Sequence, residues 1–224
     1  MQLLSLRNGF LALTFSAIAS GGGLITGCGT ASQNQSQAPK ETATNANDKQ
    51  MMNHSMGMDL GPADANFDLR FIDAMIPHHQ GAVEMAKEAQ VKSKRPEIKK
   101  LADNIIKSQN QEITQMKQWR QAWYAKAGDK PMAYNSQMGH TMEMSSDQMQ
   151  TMMMSQDLGA ADAEFDLRFI NAMIPHHEGA VTMAKDVLSK SKRPEIKQLA
   201  QEIIKAQNTE IKQMQQWRKT WYNK

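Results

Sequence analysis

The sequence predicts an all-α protein, a four-helix bundle closed from two repeated antiparallel helical hairpins, on three observations. First, the stretch Phe67 to Ala86, FDLRFIDAMIPHHQGAVEMA, recurs at Phe165 to Ala184 as FDLRFINAMIPHHEGAVTMA. Second, the offset holds well beyond that stretch: His176 minus His78, Trp217 minus Trp119 and Met214 minus Met116 all give 98, the signature of an internal duplication. Third, apolar residues within each copy recur at helical spacing. Phe67, Phe71, Met75, His78, Ala82 and Met85 share one side at 100° per residue, and Asp68, Ile72, His79 and Ala86 the adjoining strip. One hairpin of this size leaves two apolar stripes in water, whereas two hairpins cover each other. Two hairpins that each dimerise with another chain satisfy the same pattern.

The chain before the first copy is expected to contribute no core. Arg7 precedes a mildly apolar run, Gly9 to Thr26, broken by Gly21-Gly22-Gly23, which reads as an export signal over residues 1–27 that is removed. Leu24-Ile25-Thr26-Gly27-Cys28 is similar to a bacterial lipobox, with Cys28 as the lipidated residue. Cys28 is the only cysteine in the chain, so an intrachain disulfide is excluded. Ordinary secretion with cleavage nearby is the alternative. The expected location is therefore outside the cytoplasmic membrane, periplasmic, lipid-anchored or extracellular, with no membrane contact beyond the anchor. Residues 28–59 are mostly polar and read as a flexible tether. A formal net charge of +3, spread through the chain, calls for neither nucleic acid nor an acidic surface as partner, and Lys92 to Arg95 reads as a solvated turn.

The first hairpin is expected over residues 60–124. Gly61 reads as a cap and Pro62 as a first helical position, so its first helix is expected from about Pro62 to Gln90, with Pro77 bending it just ahead of the histidine pair. Pro96 opens the second helix, which runs to about Tyr124. A Met-rich connector, residues 125–157, leads to the second hairpin at 158–224. Adjacent histidines lie about 100° apart on a helix, so one of His78 and His79 is expected to point at a partner helix while the other flanks it or faces water.

The inward arc of the second helix contains Gln109, Glu112 and Met116 among apolar residues. The two copies differ at nine positions between Ser93 and Tyr124, all on the outward arc, and Gln207, Glu210 and Met214 repeat the inward trio. A carboxylate in a bundle core costs several kcal/mol unless compensated, so Asp68, Asp166, Glu112 and Glu210 each require a cation or a metal. Arg120 and Arg218 lie near enough to serve, and a Glu to His pairing is the other structural solution. Met75, Met85 and Met116, taken singly, read as core filler.

The irregular segments carry a different signal. Methionine occurs 19 times against 6 Phe. Met51, Met52, Met56 and Met58 surround His54; Met138, Met142 and Met144 surround His140, with Met149 and Met152 to Met154 following. A core does not need methionine in a polar loop. Thioethers and imidazoles at this spacing suit Cu(I), or Ag(I) by the same softness, and suit hard cations poorly. Sites that depend on histidine are expected to weaken below about pH 6.5, thioether sites not.

The core F-I-D-A-M-I-P-H-H-Q-G-A-V-E-M-A, followed by P-E-I-K-K-L-A and by Q-x-x-E-I-x-x-M-x-x-W, resembles the bacterial domain-of-unknown-function family 305 over Leu60 to Tyr124 and again over Leu158 to Tyr222. The resemblance implies a ferritin-like fold, export, and copper binding and tolerance. It also implies ligand status for Met75, His78, His79, Met85, Glu112 and Met116 and for Met173, His176, His177, Met183, Glu210 and Met214. The expectation is an exported, non-enzymatic copper protein that sequesters Cu(I), with Cu(II) accommodated, or passes it to a copper-export or sensor protein. A ferritin-like iron oxidase is disfavoured because Glu-x-x-His is absent: Met75 and Ile76 stand three residues before the two histidines. An envelope lipoprotein that binds no metal is the remaining alternative.

Overall fold

The computed structural model describes residues 59–224, all within one compact unit. The expectations for Cys28, Met51, Met52, His54, Met56 and Met58 lie outside the described residues. Seven elements follow: α1 (Phe67–Lys92), α2 (Pro96–Trp123), β1 (Met132–Asn135), β2 (His140–Glu143), α3 (Ser146–Met153), α4 (Phe165–Lys190) and α5 (Pro194–Tyr222). The helices α1 and α2 form one antiparallel hairpin, α4 and α5 the other, and the two pack as one helical bundle. No helix among the described residues is long and apolar enough to cross a membrane.

α1 begins at Phe67, five residues later than Pro62 suggested. The intervening turn has its own support. Gly61 adopts φ +75°, and the fully buried Arg70 reaches back from α1 to the Leu60 carbonyl at 2.6 Å, the Pro62 carbonyl at 2.8 Å and the Asp64 carboxylate. Holding those acceptors in a loop satisfies groups that a longer helix would otherwise turn inward. Arg168 repeats the device with the carbonyls of Leu158 and Ala160 and with Asp162. The hairpin link ends cleanly because the Ser93 side chain accepts the Arg95 N–H and Pro96 sits in the first turn of α2.

The hairpins are tied reciprocally, as a pseudo-twofold axis requires. Arg193 pairs with Asp68 and Arg95 with Asp166, both at 3.4 Å. The same guanidiniums lie over Trp123 at 4.3 Å and Trp221 at 4.2 Å. Lys92 donates to the Gly159 carbonyl and Lys190 to the Gly61 carbonyl. These ties assign Asp68 and Asp166 the cations that Arg120 and Arg218 were expected to supply. Arg120 instead grips Asp73, and Arg218 contacts Asn171.

The connector is more ordered than its composition suggested. β1 and β2 pair antiparallel, with Asn135 opposite His140 and Ala133 opposite Met142. The turn between them is held by the Asn135 side chain, which accepts the N–H groups of Gln137 and Met138, and by Gly139 at φ +71°. A capping box between Ser145 and Gln148 starts α3. The segment's charged anchors all come from the first hairpin: Asp73 accepts the Met132 N–H at 2.8 Å, Arg120 donates to the Gly128 and Lys130 carbonyls, and Arg70 donates to Thr141. Burial pushes the Asp73 carboxyl above its usual range, although Arg120 and the Met132 N–H counteract this. Position 171 carries Asn where 73 carries Asp, and Asn171 is exposed. Hence the twofold symmetry stops at the helices.

Candidate metal centre

The centre of the bundle is a row of four buried histidines. His78 and His79 on α1 and His176 and His177 on α4 are each at most 1% exposed. Their 100° offset is resolved without sending either ring to solvent. His79 turns to its own hairpin, where Nε2 meets Glu112 of α2 at 2.6 Å; His177 does the same with Glu210 of α5 at 2.7 Å. His78 and His176 turn to each other across the hairpin interface, their ring centres 3.9 Å apart. Within each helix the neighbouring rings stand 6.5 and 6.3 Å apart. A Glu–His–His–His–His–Glu series therefore crosses the interior.

Hydrogen bonding decides which nitrogens are free to bind a metal. A carboxylate only accepts, so Nε2 of His79 and of His177 donates to it and Nδ1 is the nitrogen left for a metal. Those two Nδ1 atoms, both nitrogens of His78 and Nδ1 of His176 are buried without a hydrogen-bond partner. His176 Nε2 lies 3.1 Å from the Met153 carbonyl at the end of α3. Five orphaned imidazole nitrogens in one core are expensive for a protein that binds nothing there.

Protonation does not relieve this cost. Burial pushes the His78 imidazole well below its ordinary 6.5, and the neighbouring His176, His79 and His177 add to the shift. Burial likewise lowers His176 to about 3, with His177 next in effect. Both rings are thus neutral bases in the folded protein at ordinary pH. For this pair, proton competition sets in well below the pH 6.5 expected from an unperturbed histidine.

Six buried methionines are sorted by the bundle rather than by the repeat. Met75 and Met116 of the first hairpin share one half of the core with Met183 of the second. Met173 and Met214 of the second share the other half with Met85 of the first. All six are at most 1% exposed. The ligand set implied by the resemblance is therefore split across the interface, Met85 and Met183 changing sides. Among the described residues, no three His, Cys, Asp or Glu side chains converge on one point as a polydentate cage. Thioethers and separated imidazoles are the available donors. Glu112 and Glu210 orient histidines, and Asp68 and Asp166 are engaged at the ends of the bundle.

Apart from the Met153 carbonyl at His176, no hydrogen-bonding contact to this row is made by the connector side chains expected as ligands, Met138, His140, Met142 and Met144. Met138 is 64% exposed and His140 exposed, the His140 Nδ1 lying 3.2 Å from the Met138 carbonyl. The Met142 sulfur receives the Asn135 amide at 3.2 Å. Met144 is buried with Met152 against the first half-core, so part of the connector's methionine does serve packing, contrary to the expectation for a polar loop. The sequence did not single out Asp73, the anchor of the connector, or Met132. A signal for Asp73 existed in its replacement by Asn171 in the second copy.

Comparison with known proteins places this geometry. The chain is similar to solved structures of CopM. In the Cu(II)-bound form the match has 43% identity and a TM-score of 0.55, covering 69% of this chain and 97% of CopM. The Cu(I)-bound form matches at 41% identity and a TM-score of 0.54 with the same coverage. An uncharacterized protein of Acanthamoeba polyphaga mimivirus is 49% identical over 49 residues, which is 22% of this chain and only 32% of that relative's own length. Two overlapping stretches, residues 25–120 and 68–218, match the model of DUF305, a domain of unknown function. With its duplicated hairpin and paired histidines inside the matched stretch, the chain belongs to the DUF305 family.

Proposed function

We propose that this protein is an exported copper-binding protein that sequesters Cu(I), accommodates Cu(II), and contributes to copper tolerance without catalysing a reaction. The observation that carries the reading is the central histidine row: buried imidazoles with unpartnered nitrogens, in a core that holds three buried methionines in each half. Neutral nitrogen and thioether donors favour a soft monovalent ion, while imidazoles also satisfy Cu(II). Similarity to CopM, whose structures hold Cu(I), Cu(II) and Ag, supports the same cargo here. Exposed Met138 and His140 suit capture at the surface, and Met51, Met52, His54, Met56 and Met58 extend that capture set by composition. Cys28 is the proposed lipid attachment point, and a copper-export or sensor protein the proposed recipient.

The test is an anaerobic competition titration of the chain from Gly29 onward with Cu(I), run beside Fe(II), on the wild type and on a His78→Ala/His176→Ala variant. Tight Cu(I) equivalents, fewer in the variant, are expected. Fe(II) binding with oxidation and no Cu(I) binding would replace the reading with an iron-handling one. Binding of neither ion would reduce the protein to a structural envelope component.

A further inference from the structure

We propose that the connector and α1 enclose a second metal site of a different kind, a three-thioether pocket for a soft monovalent cation formed by Met132, Met144 and Met152. This rests on the copper reading above and adds a site that no imidazole enters. The three methionines come from three places in the chain: the first residue of β1, the residue after β2, and α3. All three line one cavity of about 320 Å³.

Met144 and Met152 pack in the first half-core, yet both also line the cavity together with Met132. A close-packed interior leaves few voids larger than a water molecule, and methionine is flexible enough to fill most of them. Here a cavity remains although three methionines line it. Polar contacts hold the connector beside that packing: the ion pair of Asp73 with Arg120, the Met132 N–H to Asp73 and the Arg70 contact to Thr141.

Charge around the cavity fits a cation of low valence. Arg70 lies in the wall, but its donors are committed to Leu60, Pro62, Asp64 and Thr141, and the Asp64 carboxylate sits 2.9 Å from it. Asp59 and Asp147 line the same cavity and are exposed, which raises the local concentration of cations. Three neutral sulfurs neutralise no charge themselves, so they retain a monovalent soft ion and discriminate against hard divalent ones. Because Asp73 becomes Asn171 in the second copy and the chain holds one such connector between its two hairpins, the pocket is single among the described residues. Metal stoichiometry should then include one equivalent outside the twofold pattern of the bundle.

The experiment uses the chain from Gly29 onward with Ag(I) as a redox-inert probe. Binding equivalents are counted by competition, and the methyl resonances of 13C-methyl-methionine protein are followed during titration. The variant is Met132→Leu/Met144→Leu/Met152→Leu, which keeps apolar volume while removing sulfur. Loss of one Ag(I) equivalent in the variant, with concerted shifts of the three methyl signals in the wild type, is expected. If the wild type binds Ag(I) while those three signals stay fixed, or the variant loses no equivalent, the pocket is overturned and the histidine site stands. If the wild type binds neither Ag(I) nor Cu(I), both are overturned. The methyl readout needs no variant, so a folding defect in the triple substitution leaves the proposal testable.

Discussion

His78 and His176 meet ring to ring at 3.9 Å across the hairpin interface, and burial keeps both imidazoles neutral. Each therefore binds a proton more readily in the unfolded chain than in the folded one. Unfolded histidine begins to protonate at about pH 6.5, whereas folded His176 resists until about 3. Stability contributed by the neutral pair is full above pH 6.5 and is lost as pH falls through that window. Denaturant melts of the metal-free protein should lose about 1 kcal/mol per pH unit for each of the two rings. A His78→Phe/His176→Phe variant should show a shallower decline. An unchanged slope would show that the pair is not held neutral.

The connector should come loose before the bundle does. Asp73→Asn installs the residue of the second copy at position 73, removing the charge that receives Arg120 and the Met132 N–H. A loss of about 1–3 kcal/mol at that contact is expected. Limited proteolysis should cut earlier within residues 125–154, while the helical signal at 222 nm changes little. Wild-type cleavage rates there would refute the anchoring role.

Gly81 faces the backbone of α3. A β-carbon at this position would collide with the Met153 carbonyl oxygen, which also faces His176 Nε2. Alanine in a helix ordinarily gains about 1 kcal/mol over glycine. Here the clash reverses the sign, because backbone has to move: Gly81→Ala should lower the thermal midpoint and displace α3. A midpoint equal to or above the wild type would mean that α3 does not rest on that face.

The duplication and helical spacing made the bundle legible, since constant offset and stripe width determine both hairpins and their closure. Pairing details were less legible. Whether Glu112 faces an arginine or His79 depends on the rotation of α2 by a fraction of a turn, which spacing does not resolve. The division of Met75, Met116 and Met183 from Met173, Met214 and Met85 depends on how two hairpins cross, a long-range property absent from either repeat alone. The connector misled through composition: methionine and serine between helices resemble a loop, yet Asn135, Gly139 and the Ser145 cap fold them. Pro62 misled locally, because the later Arg70 consumes the carbonyls of the turn that Pro62 was expected to begin as helix.

Glu112 and Glu210 offer the sharpest separation between binding and orienting. Each carboxylate accepts from Nε2 of a histidine whose Nδ1 is buried and unpartnered, so each fixes the tautomer that leaves Nδ1 able to donate. Removing such a partner typically weakens metal affinity by about 10–100-fold. Glu112→Leu should therefore lower Cu(I) affinity by that factor at the site containing His79 while sparing the one containing His177. Glu112→Gln, which keeps an acceptor oxygen without the charge, should recover part of the loss. A direct ligand would behave differently: both substitutions would abolish the equivalent outright. Competition titration of the two variants beside Glu210→Leu separates these cases, and an affinity unchanged in all three would remove the carboxylates from the metal site.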